Sequence, residues 1–354
     1  MSDVLPIVRF GDLDIGAVVG QGGVGTVSRL HHPPAELPGL PRDLVFKHYV
    51  PSIRSQVDDA ALRRFIAFPA SLDTADADLI RERLAWPLAA VYEDSRIVSG
   101  FLMPGVPPRY TLDIHGRSKA AGIEFLLNGS DYEKRLGIAL DRTARLRLLL
   151  DLCRLIARLH TIGVTVGDLS PKNVLFSRAD EPRCYLIDCD SMSIRGAHVL
   201  PPIETPGWQV PRGEDLSTPA SDSYKFTLMA IRLFAQDQDT HDFRVLHKVS
   251  PALGRLAMAT TTAPPAARPQ ISAWVAPLES ELEASAEAAS QTLPQRMWRP
   301  SPTASSRPQY RPSQPRPAKW FRRLSPPRAP KARLLLLAAL VVITLVVLSL
   351  THTR

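Results

Sequence analysis

The chain has 354 residues, 45% of them hydrophobic, which is enough for one two-lobed domain of about 250–300 residues with an appendage. From Ala288 onward there are 12 Lys and Arg and no Asp or Glu, and subtracting these from the formal charge of +8 leaves −4 for residues 1–287. This mildly acidic balance excludes nucleic acid as the expected partner.

The N-terminal residues lack an apolar run, so we expect no signal peptide. The cysteines lack the spacing of a zinc site or a disulfide framework, and we expect buried free thiols at Cys153, Cys184 and Cys189.

A glycine-rich motif lies between two strand-like segments near the N-terminus. The pattern G-x-G-x-x-G-x-V is formed by Gly20, Gly22, Gly25 and Val27. Glycines let a strand–turn–strand hairpin fold closely over phosphate groups, because side chains would block the approach. A dinucleotide-binding fingerprint would open a helix instead, but the chain soon reaches Pro33-Pro34, which cannot continue one. The pattern therefore predicts a phosphate-binding hairpin.

The next apolar strand, Leu44-Val45-Phe46-Lys47, ends in a lysine. An ammonium group at this place can neutralise the α- and β-phosphates of ATP. The alternative is a surface lysine at a strand end, and the glycine hairpin upstream favours the functional interpretation of Lys47.

The most specific segment follows an amphipathic helix, which is predicted over about Arg142 to Leu159 from apolar residues spaced three and four apart. Asp168 and Asn173 then give the spacing D-x-x-x-x-N, in which a carboxylate orients an attacking hydroxyl and an amide ligates a metal on the nucleotide. Eleven residues after Asn173, an apolar strand begins that delivers Asp188, a carboxylate that can hold Mg²⁺. Each residue alone could form a turn, but the order of the motifs predicts one triphosphate site.

These motifs resemble those of the protein kinase superfamily, most closely those of divergent bacterial Ser/Thr-kinase-like proteins. The resemblance implies an α+β, bilobal protein-kinase-like domain over residues 10–286, with a β-rich N-lobe at about 10–103 and an α-helical C-lobe at about 104–286. It implies ATP and Mg²⁺ (or Mn²⁺) as cofactors, a protein substrate, and a hinge for adenine at Met103. The implied site residues are catalytic Asp168, Lys47 and Lys172, cofactor-binding Gly20, Gly22, Gly25, Val27, Lys47, Met103 and Glu82, and the metal ligands Asn173 and Asp188.

Three further segments resemble parts of the kinase C-lobe. Thr205-Pro206-Gly207-Trp208 resembles the stretch that closes the activation segment, where Thr205 is expected to act structurally. Ser221-Asp222-Ser223-Tyr224 resembles the start of a long helix whose aspartate braces the catalytic loop in kinases. Ala267-Arg268-Pro269 resembles the arginine–proline pair before the final helix, which is predicted over about Ile271 to Ala286.

Other positions depart from the kinase pattern near the catalytic aspartate. Val166-Gly167 replaces a His-Arg pair whose arginine usually contacts a phosphorylated activation loop. Ser170 replaces a lysine beside the γ-phosphate, for which Lys172 can substitute. The Asp-Phe-Gly motif reads Asp188-Cys189-Asp190, in which Asp190 either adds a metal contact or, as we expect, caps a turn.

Two glutamates replace carboxylates that the family pattern requires. The Ala-Pro-Glu motif reads Val210-Pro211-Arg212, and Glu214 is the nearest replacement for the glutamate that pairs with Arg268 in kinases. The helix glutamate that should pair with Lys47 is assigned to Glu82, because its side chain reaches further than the aspartates nearby. A solvent-facing Glu82 is the alternative.

The C-terminal part predicts a tether followed by a membrane anchor. Residues 287–331 are rich in Pro, Arg, Ser and Gln and lack periodicity, so we expect a disordered linker. Residues 334–350 are 17 residues without charge and reach about 26 Å as a helix, which suits a short membrane span better than a core helix. The excess of Lys and Arg before this run predicts a single-pass membrane protein whose kinase domain lies in the cytoplasm. The basic linker either rests on anionic lipid, as a further partner, or is simply solvated.

The sequence therefore predicts a membrane-tethered, ATP-dependent protein Ser/Thr kinase, because every group that touches the triphosphate in kinases has a counterpart. One alternative is a pseudokinase that holds nucleotide and recruits a partner at the membrane, motivated by the changed motifs. The other is a small-molecule phosphotransferase of the aminoglycoside or choline type, which shares the Asp…Asn…Asp core but rarely keeps the C-lobe segments.

Overall fold

The computed structural model of the chain describes residues 7–34, 37, 40–93, 97–178 and 181–292. The β-strands are β1 (Ile7–Arg9), β2 (Ile15–Gln21), β3 (Gly25–Leu30), β4 (Leu44–Tyr49), β5 (Ala89–Glu93), β6 (Ile97–Pro104), β7 (Thr111–Ile114), β8 (Arg117–Ala120), β9 (Val164–Thr165), β10 (Val174–Phe176), β11 (Cys184–Leu186), β12 (Ser193–Ile194) and β13 (Ala197–His198). The α-helices are α1 (Pro51–Arg54), α2 (Asp59–Ala67), α3 (Thr74–Arg83), α4 (Ser130–Leu136), α5 (Arg142–Thr161), α6 (Pro219–Ala235), α7 (Arg244–Val249), α8 (Pro251–Thr262) and α9 (Val275–Thr292).

A six-stranded sheet forms the N-terminal part, with the strand order β1-β5-β6-β4-β3-β2. Only β1 and β5 pair in parallel, and the other neighbours in this sheet are antiparallel. Because side chains alternate along a strand, the two faces of the sheet pack against different groups. Phe46 and Leu102 belong to a small cluster on one face, whereas Val45, Phe101 and Met103 join the main core on the other.

The helical part is built around α5 and α6. The Asp141 side chain caps α5 by accepting the N–H of Ala144 at 2.7 Å, and Thr218 forms a capping box at the start of α6. Both helices bury most of their apolar residues, and α5 packs against α6 and α9. One core of buried side chains extends from the N-terminal sheet to these helices.

Two small antiparallel sheets lie in the segment between α5 and α6. One contains β10 and β11, and the other has the order β13-β12-β9. The N-terminal part is attached to this segment through the backbone, since the N–H of Ala85 donates to the Leu186 carbonyl at 2.8 Å. The segments that carry Asp168, Asn173 and Asp188 therefore lie where the sheet and the helices meet.

The predicted α+β class, with a β-rich N-terminal sheet and a helical C-terminal part, is compatible with kinase-like lobes. The helix predicted to start at Arg142 is α5, whereas the predicted final helix begins with a 3₁₀ turn and becomes α-helical only at Val275. Helix α9 continues to Thr292, so residues 287–292 are helical and correct the expected start of the linker.

The predicted membrane anchor at residues 334–350, like the linker beyond residue 292, lies outside the described residues. Among the helices that the structure describes, none has the length and apolar character needed to cross a bilayer. Membrane attachment and cytoplasmic location stay predictions.

Burial of the thiols predicts that the native protein resists thiol reagents. Cys153, Cys184 and Cys189 are buried, and burial raises the pKa of Cys153 to about 12 and those of Cys184 and Cys189 well above the ordinary value. We expect no reaction with Ellman's reagent at mildly alkaline pH before denaturation, and titration of all three thiols in guanidinium chloride. Rapid native labelling of one thiol would show that it is accessible.

Candidate active site

Lys47 projects from β4 toward two carboxylates that follow β11. Its Nζ atom donates to Asp188 Oδ1 and, at 2.6 Å, to Asp190 Oδ1. Asp190 is buried, and its second oxygen accepts the Tyr49 hydroxyl at 3.1 Å. Tyr49 lies two residues beyond Lys47, so strand alternation puts both side chains on one face of β4. A buried charge cluster thus joins the N-terminal sheet to the segment after β11.

Burial and charge together set the protonation of this cluster. Burial alone would lower the pKa of the Lys47 amine, but the carboxylates of Asp190 and Asp188 outweigh it and hold that pKa above its ordinary value. Burial raises the pKa of the Asp190 carboxyl, and the Lys47 ammonium opposes this rise. The pKa of the Tyr49 hydroxyl is raised by burial and then by Asp190, so Tyr49 stays a neutral donor.

The structure corrects the expected pairing of Lys47 with Glu82. Glu82 lies on α3 and is exposed. The inner side of α3 carries Ile80, and a residue two positions away lies roughly 200° around the helix axis. Asp190 makes the contact with Lys47 that was expected of Glu82. The expectation that Asp190 caps a turn is therefore wrong as well.

The hairpin of β10 and β11 brings the two predicted metal ligands close together. The N–H of Ile187 donates to the Asn173 carbonyl at 3.0 Å, and Asp188 follows directly. Asp188 has φ 62° and ψ 40°, a left-handed conformation that residues other than glycine rarely adopt and that clusters at functional sites. Ser191 supports it, since its N–H and hydroxyl donate to the Asp188 carbonyl at 3.1 and 2.8 Å.

The buried carboxylate of Asp168 is held from two sides. Asn173 Nδ2 donates to Asp168 Oδ2 at 3.0 Å and to the Asp168 carbonyl at 3.0 Å. Thr205 donates its N–H to Oδ1 and its hydroxyl to Oδ2, both at 2.9 Å. The structural role expected of Thr205 is therefore confirmed. Because the amide nitrogen of Asn173 faces Asp168, its oxygen is the atom that a cation can use.

Helix α6 braces the catalytic loop. Asp222 accepts the N–H of Val166 at 2.8 Å and that of Gly167 at 2.9 Å, which confirms the brace implied by the kinase resemblance. Gly167 has φ +71°, and a Cβ atom there would lie 3.0 Å from the Ser191 carbonyl oxygen. A side chain at this position would be strained, so the backbone here disfavours the arginine that kinases place before the aspartate.

The glycine motif forms the predicted hairpin of β2 and β3. At Gly25 a Cβ atom would overlap the His48 carbonyl oxygen, so the close approach of β3 to β4 requires glycine. Among the residues that the structure describes, a Cβ atom at Gly22 would meet nothing within 4 Å, and one at Gly20 would meet only Val27, at 3.6 Å. Packing within the protein therefore does not require Gly20 or Gly22, and the space there can admit phosphates.

The remaining predicted nucleotide contacts share one face of the sheet with Lys47. Val27 is opposite Lys47 in the register of β3 with β4, and Met103 is opposite Val45 in that of β4 with β6. Cross-strand partners point to the same side of a sheet, and Val45 and Lys47 are two residues apart. Val27, Lys47 and Met103 therefore lie on the face that meets the catalytic segments.

Lys172 makes no hydrogen bond or ion pair with Asp168 among the residues described, unlike Asn173 and Thr205. It is exposed, and its ammonium lies near Glu124, where burial raises the pKa of the carboxyl while the Glu124 backbone N–H and then Lys172 oppose the rise. Ser170 is buried, and its hydroxyl has no hydrogen-bond partner among the residues described. The predicted catalytic role of Lys172 gains no geometric support.

The expected replacement for the lost Ala-Pro-Glu glutamate is confirmed. Arg268 donates from its two terminal nitrogens to the two oxygens of Glu214, both at 2.6 Å. Paired, two-point contacts of this kind hold an arginine and a carboxylate in a defined plane. Glu214 therefore ties the end of the activation segment to the residue before the final helices.

The residues present fit a nucleotide with a divalent cation. Mg²⁺ typically binds one or two protein carboxylates and completes its shell with phosphate oxygens and water. Asp188 and Asn173 supply such ligands beside Lys47. Within the described ranges there is no group of three His, Cys, Asp or Glu side chains that could hold a metal on its own, so a cation here would depend on phosphate oxygens.

The stretch that carries Asp168, Asn173 and Asp188 is similar to that of a known family. The Lipopolysaccharide kinase (Kdo/WaaP) family matches residues 130–198, from α4 to β13. This stretch contains Asp168, Asn173 and Asp188 but not the glycine hairpin or Lys47. No curated protein matches the chain. The match supports a kinase-like protein without confirming specificity for protein serine or threonine.

The charge cluster predicts that Asp190, and not Glu82, sets nucleotide affinity. Asp190→Asn removes one of the two carboxylates that hold Lys47, so we expect the Kd for Mg²⁺·ATP to rise about tenfold, equivalent to about 1.4 kcal/mol. The exposed Glu82→Gln is the matched control and should change the Kd by less than about twofold. Isothermal titration calorimetry measures both, and the reverse ranking would reinstate a helix glutamate as the partner of Lys47.

Proposed function

We propose that the chain is a phosphotransferase that moves the γ-phosphoryl group of ATP to a hydroxyl group. The observation that carries the proposal is the contact between Lys47 and Asp188, which are 141 residues apart in the sequence. This contact joins the ammonium group that is predicted to bind phosphates to the carboxylate that is predicted to hold Mg²⁺. Independent turn residues have no reason to meet in this way.

The residues of the site divide the chemistry between them. A bound divalent cation, held by Asp188 and Asn173, would neutralise charge on the phosphates. Lys47 would hold the same phosphates from the sheet. Asp168, fixed in orientation by Thr205, would orient the acceptor hydroxyl and take its proton. Positioning and charge neutralisation supply most of the rate in such a transfer.

We propose a saccharide or another small molecule as the acceptor, in preference to a protein serine or threonine. The support is the similarity of residues 130–198 to a lipopolysaccharide kinase family. A protein substrate is implied only by the resemblance of the motifs to those of protein kinases. A protein hydroxyl remains the second candidate because the contacts of Thr205 with Asp168 and of Arg268 with Glu214 belong to C-lobe segments that small-molecule kinases rarely keep.

Transfer of label from γ-labelled ATP tests the function and the acceptor together. We expect Mg²⁺-dependent transfer by the full-length protein, and at least about a hundredfold loss in Lys47→Ala and in Asp188→Asn, equivalent to about 2.7 kcal/mol of transition-state stabilisation. The acceptor panel contains lipopolysaccharide, simple sugars, amino-alcohols and generic protein substrates, with Glu82→Gln as the control enzyme.

Each outcome of this panel decides between the candidate functions. Label on saccharides or amino-alcohols supports a small-molecule phosphotransferase, and label on proteins alone selects the second candidate. A wild-type signal no higher than that of Lys47→Ala would remove the enzyme and leave a nucleotide-binding pseudokinase.

A further inference from the structure

A buried lysine on α6 has no part in the site described so far. Lys225 is fully buried, three residues after Asp222. Its ammonium donates to the Gly167 carbonyl at 2.8 Å and pairs with Glu204 Oε1 at 2.8 Å. An ammonium group is costly to bury without such partners, so these two contacts hold the Lys225 side chain in one place.

Lys225 and Asp222 hold Gly167 from both sides of its backbone. Asp222 Oδ1 accepts the Gly167 N–H at 2.9 Å, while Lys225 donates to the Gly167 carbonyl. Residues three apart share one face of a helix, which is why both can reach the same loop residue. Because that carbonyl belongs to the peptide bond leading into Asp168, the pair fixes the backbone direction at Asp168.

The acidic partner of Lys225 lies next to the residue that holds the Asp168 carboxylate. Glu204 directly precedes Thr205, which donates twice to Asp168. Glu204 Oε1 also accepts the Val210 N–H at 2.9 Å, which closes the segment on itself. Lys225 is thus connected to Asp168 along the chain through Gly167 and across space through Glu204 and Thr205.

We propose that Lys225 is a positioning residue for Asp168, and that its pair with Glu204 replaces the contact that kinases make between an arginine and a phosphorylated loop. This inference rests on the proposed phosphotransferase function. The left-handed conformation of Gly167 disfavours an arginine there. The Glu204 carboxylate supplies a negative charge to this segment without phosphorylation. Residues 204–210 are therefore held against the catalytic loop without a phosphate group.

Lys225→Met in the full-length protein tests this role, because methionine keeps much of the length and removes the charge. We expect the Kd for Mg²⁺·ATP to stay within about twofold and ATP turnover at saturation, with water as the acceptor, to fall at least about tenfold. Amide hydrogen exchange over 204–210 should accelerate by about tenfold or more. Phosphatase treatment of the wild type should change neither turnover nor exchange, and a loss on treatment would overturn the phosphate-free contact.

A double variant and a matched control separate positioning from general destabilisation. Lys225→Met with Glu204→Gln leaves no unpaired, largely covered carboxylate, so it should fold and show the same losses even if the single variant does not fold. Arg145→Met removes another buried ion pair of the helical part, with Glu133 at 2.6 Å, and should lower the melting temperature while sparing turnover and exchange over 204–210.

Two results would overturn the proposal. The first is a folded Lys225→Met variant, single or double, with unchanged ATP turnover and unchanged amide exchange over 204–210. The second is an Arg145→Met variant that loses turnover and gains exchange as much as Lys225→Met does. A wild type that turns over no ATP would instead refute the proposed function, while exchange over 204–210 would still decide whether Lys225 holds this segment.

Discussion

A buried ammonium group needs carboxylates around it, and at Lys47 this need determines how the two parts of the molecule meet. Removing an ionised amine from water costs several kcal/mol unless opposite charges and hydrogen bonds replace the water. Asp188 and Asp190 supply those charges from the helical part. The pairing of Lys47 with these carboxylates therefore also places the predicted phosphate-binding cation beside the predicted metal ligand.

Several elements around the site could be predicted from the sequence because their signals are local. The glycine pattern predicts the hairpin of β2 and β3, and apolar periodicity predicts α5. Two long-range contacts were also predictable, those of Asp222 with the catalytic loop and of Arg268 with Glu214, because the residues of each pair match family positions that meet in kinases. Alternation along β4 also contained a signal for Tyr49, which lies on the same side as Lys47.

The partner of Lys47 could not be predicted, because spacing along the chain does not show which side of a helix faces the site. The inner side of α3 is used for a different purpose. Asp76 pairs there with Arg158 of α5 at 2.5 and 2.6 Å, so α3 is tied to the helical part and offers Lys47 no carboxylate. Asp190 supplies it from the turn after β11, whose shape depends on the left-handed conformation of Asp188.

Three charged residues that the kinase motifs lose are replaced from other elements, whereas Lys172, the candidate for the lysine lost at Ser170, is exposed and lies near Glu124. Asp190 stands in for the helix glutamate, Glu214 for the glutamate of the activation segment, and Lys225 occupies the region where kinases use an arginine. Stabilisation of a phosphoryl group depends on where charges are held and not on which strand or helix carries them. The changed motifs are therefore weak grounds for an inactive pseudokinase. Because Asp190 lies two residues from Asp188, one turn carries both the carboxylate that positions Lys47 and the proposed metal ligand, and α3 supplies neither.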